Sequence, residues 1–335
     1  MTATVPPETG PDEAFFRTRG VVLVLRDLQT LDWPTRAQRA GLTTIGTHIF
    51  PHEVAAFLQA DEGQAFLEKC RTLGLQVEHE LHAMGDLLPR ELYDRDPSLF
   101  PMDAQGRRVR DYNLCVSSET ALEIVCENAA RYTEWLPSTT GRYFYWIDDG
   151  QPMCRCPRCR GLSDSDQALL VENRMLSAIR RVDPRATLAH LVYATTLPPP
   201  LQVKPAPGIF LEFAPISREY DRPLRQREAG RDHPPSHGEL LNHLDANLEV
   251  FGSDGAQVLE YWLDLSRFSG WKRERVIPLP WHREVFLDDL ETYAARGIRH
   301  ITTFAAWLDG DYVQRFGEPP VEEYGAGLRN FQPRR

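Results

Sequence analysis

Three cysteines fall within six residues, Cys154-Arg155-Cys156-Pro157-Arg158-Cys159, and this CxCxxC spacing packs three soft ligands close enough for one tetrahedral metal ion. Cys115 supplies a fourth, at the head of an expected helix whose preceding loop would neighbour the cysteine loop. The set Cys115, Cys154, Cys156 and Cys159 points to structural zinc, whose closed coordination leaves no position for water. Reduced thiols, redox chemistry or a local disulfide are the competing readings. A catalytic zinc would need a ligand other than cysteine and an exchangeable water. Cys70 and Cys126 fall on apolar helical faces and read as core residues.

Two other segments join carboxylates to aromatics: Trp146-Ile147-Asp148-Asp149-Gly150 and Leu259-Glu260-Tyr261-Trp262-Leu263-Asp264. Sugar rings stack their C–H faces on aromatic rings while their hydroxyls bond carboxylates. Two carboxylates from separate segments can act across a glycosidic bond, about 5–5.5 Å apart for retention and about 6.5–9.5 Å for inversion. Along a strand Asp148 and Asp149 point opposite ways, so at most one faces a shared mouth. Asp149, or Asp148, is the candidate acid. Glu260 is its candidate partner, with a buried ion pair to an arginine as the alternative and Asp264 as the substitute. Glu80 and His82, at i and i+2, share a face that suits either substrate hydroxyls or an internal polar layer. His190, Tyr193, Glu212, Tyr261, Trp262, Trp307 and Asp309 complete the candidate binding set, with Tyr193, Trp262 and Trp307 as sugar platforms. For Glu212 a structural partnership is the competing reading.

Positioning these residues requires a scaffold that gathers strand ends. Apolar, β-branched runs predict strands at 21–25, 43–50, 75–81, 143–147, 187–193, 209–213, 257–263 and 300–304. Helical periodicity follows over 52–73, 118–136, 164–182, 237–250, 283–296 and 321–331. Strand–helix alternation through eight strands predicts a single-domain (β/α)₈ TIM barrel over residues 20–335, preceded by a flexible tail at 1–19. In that fold the chemistry sits at the carboxyl ends of the strands, where the acids and aromatics lie. No GxGxxG or phosphate loop supports an open doubly wound sheet. The stretch 84–113 and the prolines from 198 to 207 read as loops at strand ends.

The 335 residues carry 48 acidic against 38 basic side chains, a formal charge of −10, which argues against a phosphate-backbone binder and so against nucleic acid as a partner. No apolar run approaches 18 residues, and MTATVPPETGPDEAFF lacks the pattern of a signal peptide. A cytoplasmic protein with no membrane partner and a small carbohydrate as substrate or ligand is the expectation.

The stretch from Trp146 through Cys159, with Asn173 and Leu191-Val192-Tyr193 before prolines, resembles the bacterial family called domain of unknown function 4838. Supporting matches are Glu80-Leu81-His82-Ala83, Leu87-Leu88-Pro89-Arg90, Asn113-Leu114-Cys115-Val116-Ser117 and Glu260-Tyr261, a resemblance over about residues 75 to 330. The family is similar in fold to β-N-acetylhexosaminidases and α-glucuronidases, whose acid sits at the tip of the fourth strand. The resemblance implies a glycoside hydrolase with Asp149 or Asp148 in the acid's place, where hexosaminidases carry Asp-Glu and this chain has Asp-Asp. A non-catalytic carbohydrate-binding barrel is the alternative.

Overall fold

Eight parallel strands close into one barrel in chain order, with the first pairing the last across the seam. The computed structural model describes residues 14–232 and 234–334. The strands are β1 (Thr18–Val24), β2 (Thr44–His48), β3 (Gln76–His82), β4 (Arg142–Trp146), β5 (Thr187–Val192), β6 (Ile209–Phe213), β7 (Gln257–Glu260) and β8 (His300–Phe304). Helices cover the outside, so the fold is the (β/α)₈ barrel that the alternation predicts. Among the described residues no helix is long and apolar enough to cross a membrane.

The helices begin where the sequence offers caps. Ser118 accepts a hydrogen bond from the Ala121 N–H and opens Glu119–Trp135. Reciprocal Ser163–Asp166 and Ser236–Glu239 capping boxes open Asp164–Ile179 and His237–Phe251. The helix expected over 52–73 is two, Pro51–Gln59 and Asp61–Thr72, broken at the extended Ala60. Gly63 permits the tight corner, because a Cβ there would lie 2.1 Å from the Phe57 carbonyl oxygen.

Two further differences have local causes. β1 starts at Thr18, and Phe16 is already buried against Phe331, with ring centroids 5.0 Å apart, so order begins inside the expected tail. Residues 1–13 of that tail lie outside the described residues. Between β5 and β6 the proline-bearing stretch is the loop expected there, with one 3₁₀ turn, Ala194–Thr196. β7 ends at Glu260, which leaves Tyr261–Asp264 in the loop that caps the short helix Leu265–Phe268.

Inward-facing side chains fill the barrel. Beneath its mouth lies a polar layer of Glu78, Glu80, Arg142, Glu212, Gln257 and Thr302. Gln257 Nε2 donates to Glu212 at 3.1 Å and reaches Glu80 and Thr302 at 3.4 Å, while Arg142 donates to Gln257 at 3.0 Å. Gly46 makes room for this layer, since a Cβ there would meet Glu80 Oε1 at 3.2 Å and Val22 at 3.1 Å. Burial pushes all three glutamates upward, Glu212 to about 8, and Arg142 alone does not offset it.

Candidate functional site

The residues that end the strands on the inward parity meet in one cavity at the carboxyl mouth of the barrel. Its volume is about 270 Å³, and its wall includes His48, His82, Trp146, Asp149, Tyr193, Leu259, Tyr261, Asp264, Phe304 and Trp307. Pleating explains the membership: β2, β4 and β8 each deliver their last residue inward, as His48, Trp146 and Phe304.

Two carboxylates reach this cavity. Asp149 follows β4 on its rim, exposed, and accepts a 2.8 Å hydrogen bond from the Tyr193 hydroxyl. Asp264 is buried in the wall, caps Leu265–Phe268 by accepting from the Arg267 N–H, and accepts from Ser266 Oγ at 2.5 Å. Burial pushes its carboxyl up to about 6, against the downward pull of those hydrogen bonds.

The floor is fixed from below and behind. Trp146 Nε1 donates to Glu212 at 2.7 Å, tying the indole to the polar layer. His48 and His82 each donate Nδ1–H to a backbone carbonyl, Glu80 at 2.5 Å and Ile147 at 3.0 Å, because a carbonyl oxygen only accepts. In a neutral ring that leaves Nε2 as a bare acceptor. Burial holds His48 down at about 3, so its ring is neutral.

Trp307 stands at φ 70, a strained conformation for a bulky residue, held because its N–H donates to both Asp27 oxygens at 3.1 and 3.2 Å. Arg273 packs 4.9 Å from the centre of the Trp307 ring and is itself bound to Asp309 at 2.6 Å. Burial pushes Asp27 up to about 8, with the Trp307 N–H opposing it.

Of the expected site residues, Asp149, His82, Tyr193, Tyr261, Asp264 and Trp307 line the cavity. The others do not. Glu260, the expected partner, is on the outward parity of β7, fully buried, and accepts from Arg218 at 2.8 Å and Tyr293 at 2.5 Å. It is the arginine ion pair, shared with Asp289. Trp262, also outward, donates to Asp289 at 3.2 Å and packs on Phe286. His190 faces out from β5, 2.7 Å from Glu172 and stacked on Phe251. Glu80 and Glu212 form the polar layer. Asp148 is clamped by Arg90 and by the Asn113 N–H, both at 2.5 Å, and fastens the 84–113 segment to the β4 tip. Asp309 binds Arg26 and Arg273 and caps Gly310–Phe316 behind Trp307.

His48 and Asp27 stand at strand ends in the sequence but outside the candidate set, and Trp271 had no place in the sequence reading. Inward parity at the end of β2 marks His48. Trp271, 64% exposed and at φ 54 in the loop after β7, has no periodic signal to mark it.

The four cysteines converge as the spacing predicts. Cys115, Cys154, Cys156 and Cys159 are buried, unbridged, and their sulfurs all lie within 4.8 Å of one another. A zinc–sulfur length of about 2.3 Å gives a tetrahedron with edges of about 3.8 Å. Cys115 Sγ lies 3.8 Å from Cys156 Sγ and 3.9 Å from Cys159 Sγ. The N–H groups of Met102 and Cys156 donate to Cys154 at 3.3 and 3.4 Å, and the Ser117 hydroxyl lies 2.9 Å from Cys159 Sγ, a surround that suits thiolate ligands. The cluster could hold one metal ion.

A family model described as domain of unknown function (DUF4838) matches residues 26–241, from the end of β1 into the helix after β6. The chain belongs to this family. The DUF4838 match starts earlier and stops sooner than the expected 75 to 330. The molecule is similar in fold to the β-N-acetylhexosaminidase of Bacteroides fragilis, at 12% identity and TM-score 0.55 over 96% of this chain and 67% of that one. A β-galactosidase from the psychrophilic Marinomonas ef1 aligns at 10% identity and TM-score 0.50, over 93% of this chain and 59% of the other. No curated protein matches.

Proposed function

We propose that this DUF4838 protein is a glycoside hydrolase whose carboxylates are Asp149 and Asp264. The observation that carries the reading is their presence in one aromatic-walled cavity at the carboxyl mouth of a (β/α)₈ barrel. Asp149, on the rim and oriented by Tyr193, faces the leaving group and serves as the acid. Asp264, inside the wall, serves as base or nucleophile in place of Glu260. Trp146, Tyr261 and Trp307 carry the sugar ring, and His82 and His48 bind its hydroxyls. The two fold neighbours, named for glycosidase activities, are consistent with this chemistry.

We also infer that the metal at the cysteine cluster is zinc in a structural role. A Cys₄ set fills the tetrahedron and leaves no open position. It joins Cys115, before Glu119–Trp135, to the loop that follows Asp149. Stoichiometric zinc by elemental analysis is the expected result.

The catalytic reading is tested on nitrophenyl glycosides. Asp149→Asn and Asp264→Asn are each expected to lower kcat by ~10²–10⁴-fold while sugar binding changes little. Sugar binding with no turnover by the wild type would instead identify a non-catalytic carbohydrate-binding barrel.

A further inference from the structure

The cavity does not stand alone. A second, open one of about 690 Å³ adjoins it and is lined by Asp149, Tyr193, Ile216, Ser217, Arg267 and Trp271. Asp149, Tyr193, Ile216 and Trp271 belong to both walls, so they mark the boundary. At about 270 Å³ the inner space lies just below the roughly 300 Å³ at which small-ligand pockets begin, and it offers room for one ring and not a chain.

The two compartments differ in polarity. Among the described residues neither lysine nor arginine lines the inner one. Its polar lining is the Asp149 and Asp264 carboxylates, the His48 and His82 rings, the hydroxyl-bearing Tyr193, Tyr261 and Ser266, and the indoles Trp146, Trp271 and Trp307. The Tyr193 and Ser266 hydroxyl protons are already spent on Asp149 and Asp264, and Trp146 Nε1 is spent on Glu212. The wall is rich in acceptors and carries negative charge. A ring presenting many O–H donors satisfies it, whereas a carboxylate or phosphate on that ring would meet like charge and bare lone pairs. The cation at the boundary, Arg267, lines the outer compartment alone.

We propose that the inner cavity takes a single terminal sugar ring without negative charge, that the remainder of the substrate lies outside against Trp271, and that the bond between them falls at Asp149. This rests on the hydrolase reading and adds two properties to it: cleavage from the chain end, and selection against uronic acids and sugar phosphates.

The experiment has a binding arm and a cleavage arm. Free neutral hexoses and the matching hexuronic acids are titrated against the protein, read by the fluorescence of the cavity tryptophans. The best neutral hexose should bind at least about tenfold more tightly than its uronic acid. Asp264→Asn, which removes one negative charge, should narrow that ratio. In the cleavage arm, oligosaccharides with free and with chemically blocked non-reducing ends are compared. The free chain should release a monosaccharide and the blocked chain nothing.

A uronic acid bound as well as its neutral partner, or cleavage inside a blocked chain, overturns the proposal and leaves the hydrolase reading intact. Absence of binding by every sugar also overturns it. Selective binding of neutral hexoses with no cleavage of any glycoside overturns the hydrolase reading, and with it the placement of the bond at Asp149, while the charge selection of the cavity stands.

Discussion

Asp264 and Glu260 are four residues apart, yet one faces the cavity and the other a buried arginine. Their chemistry follows from that difference. A carboxyl pushed up to about 6 by burial is ionised only above that pH, so a base or nucleophile at Asp264 loses activity as pH falls through about 6. A pH profile of kcat/KM should show this acid limb. Glu260 belongs to stability instead. Arg218→Met leaves Glu260 and Asp289 buried without their cation and should cost about 3–5 kcal/mol, measured by urea unfolding. The displaced residues share one cause. Glu260 and His190 are on the outward parity of β7 and β5, opposite Leu259 and Leu191, which line the cavity, and in the loop after β7 Trp262 packs outward while Tyr261 lines the cavity. That alternation was legible at β7 and β5 once strand limits were known. The raised Asp264 carboxyl was not, because desolvation depends on neighbours remote in sequence.

At the scale of elements, the loops after β3 and β4 form one unit. Asp148 binds Arg90 and the Asn113 N–H, Met102 donates its N–H to Cys154, and Arg155 donates its N–H to the Met102 carbonyl at 2.8 Å. A metal among the four cysteines would close the same unit, since its binding energy becomes folding energy. Cys156→Ser is therefore expected to lower both zinc content and Tm, and to weaken sugar binding through the β4 tip that carries Asp149. Elemental analysis beside thermal unfolding measures this, and unchanged Tm with zinc lost would contradict it. The CxCxxC spacing made three members of the cysteine cluster legible, and chain order in the barrel made Cys115 so. The clamp at Asp148 was not legible, because the 84–113 segment has no regular periodicity that would fix where it folds back.

For the whole molecule, the barrel was legible from alternating strand and helix patterns, and its departures occur where local chemistry overrides them: Ala60 between two helices, and the early end of β7 at Glu260. The interior has its own consequence. Glu212, held at about 8 when folded, has an ordinary carboxyl pKa near 4.5 when unfolded. Between those values the folded state holds the proton that the unfolded state has lost, so stability is greatest at the acid end and falls as pH rises through about 8. Glu212→Gln should flatten the decline of Tm between about pH 5 and pH 8, since an amide can still accept from Trp146. The proposed bond cleavage takes place at the mouth above this layer. A panel of glycosides followed by proton NMR with wild type and Asp149→Asn, both confirmed folded and of equal metal content, tests it. The anomeric signal of a released sugar should grow with the wild type and not with the variant. Equal release by both, or none by the wild type on any glycoside, would contradict the assignment of Asp149 to the chemistry.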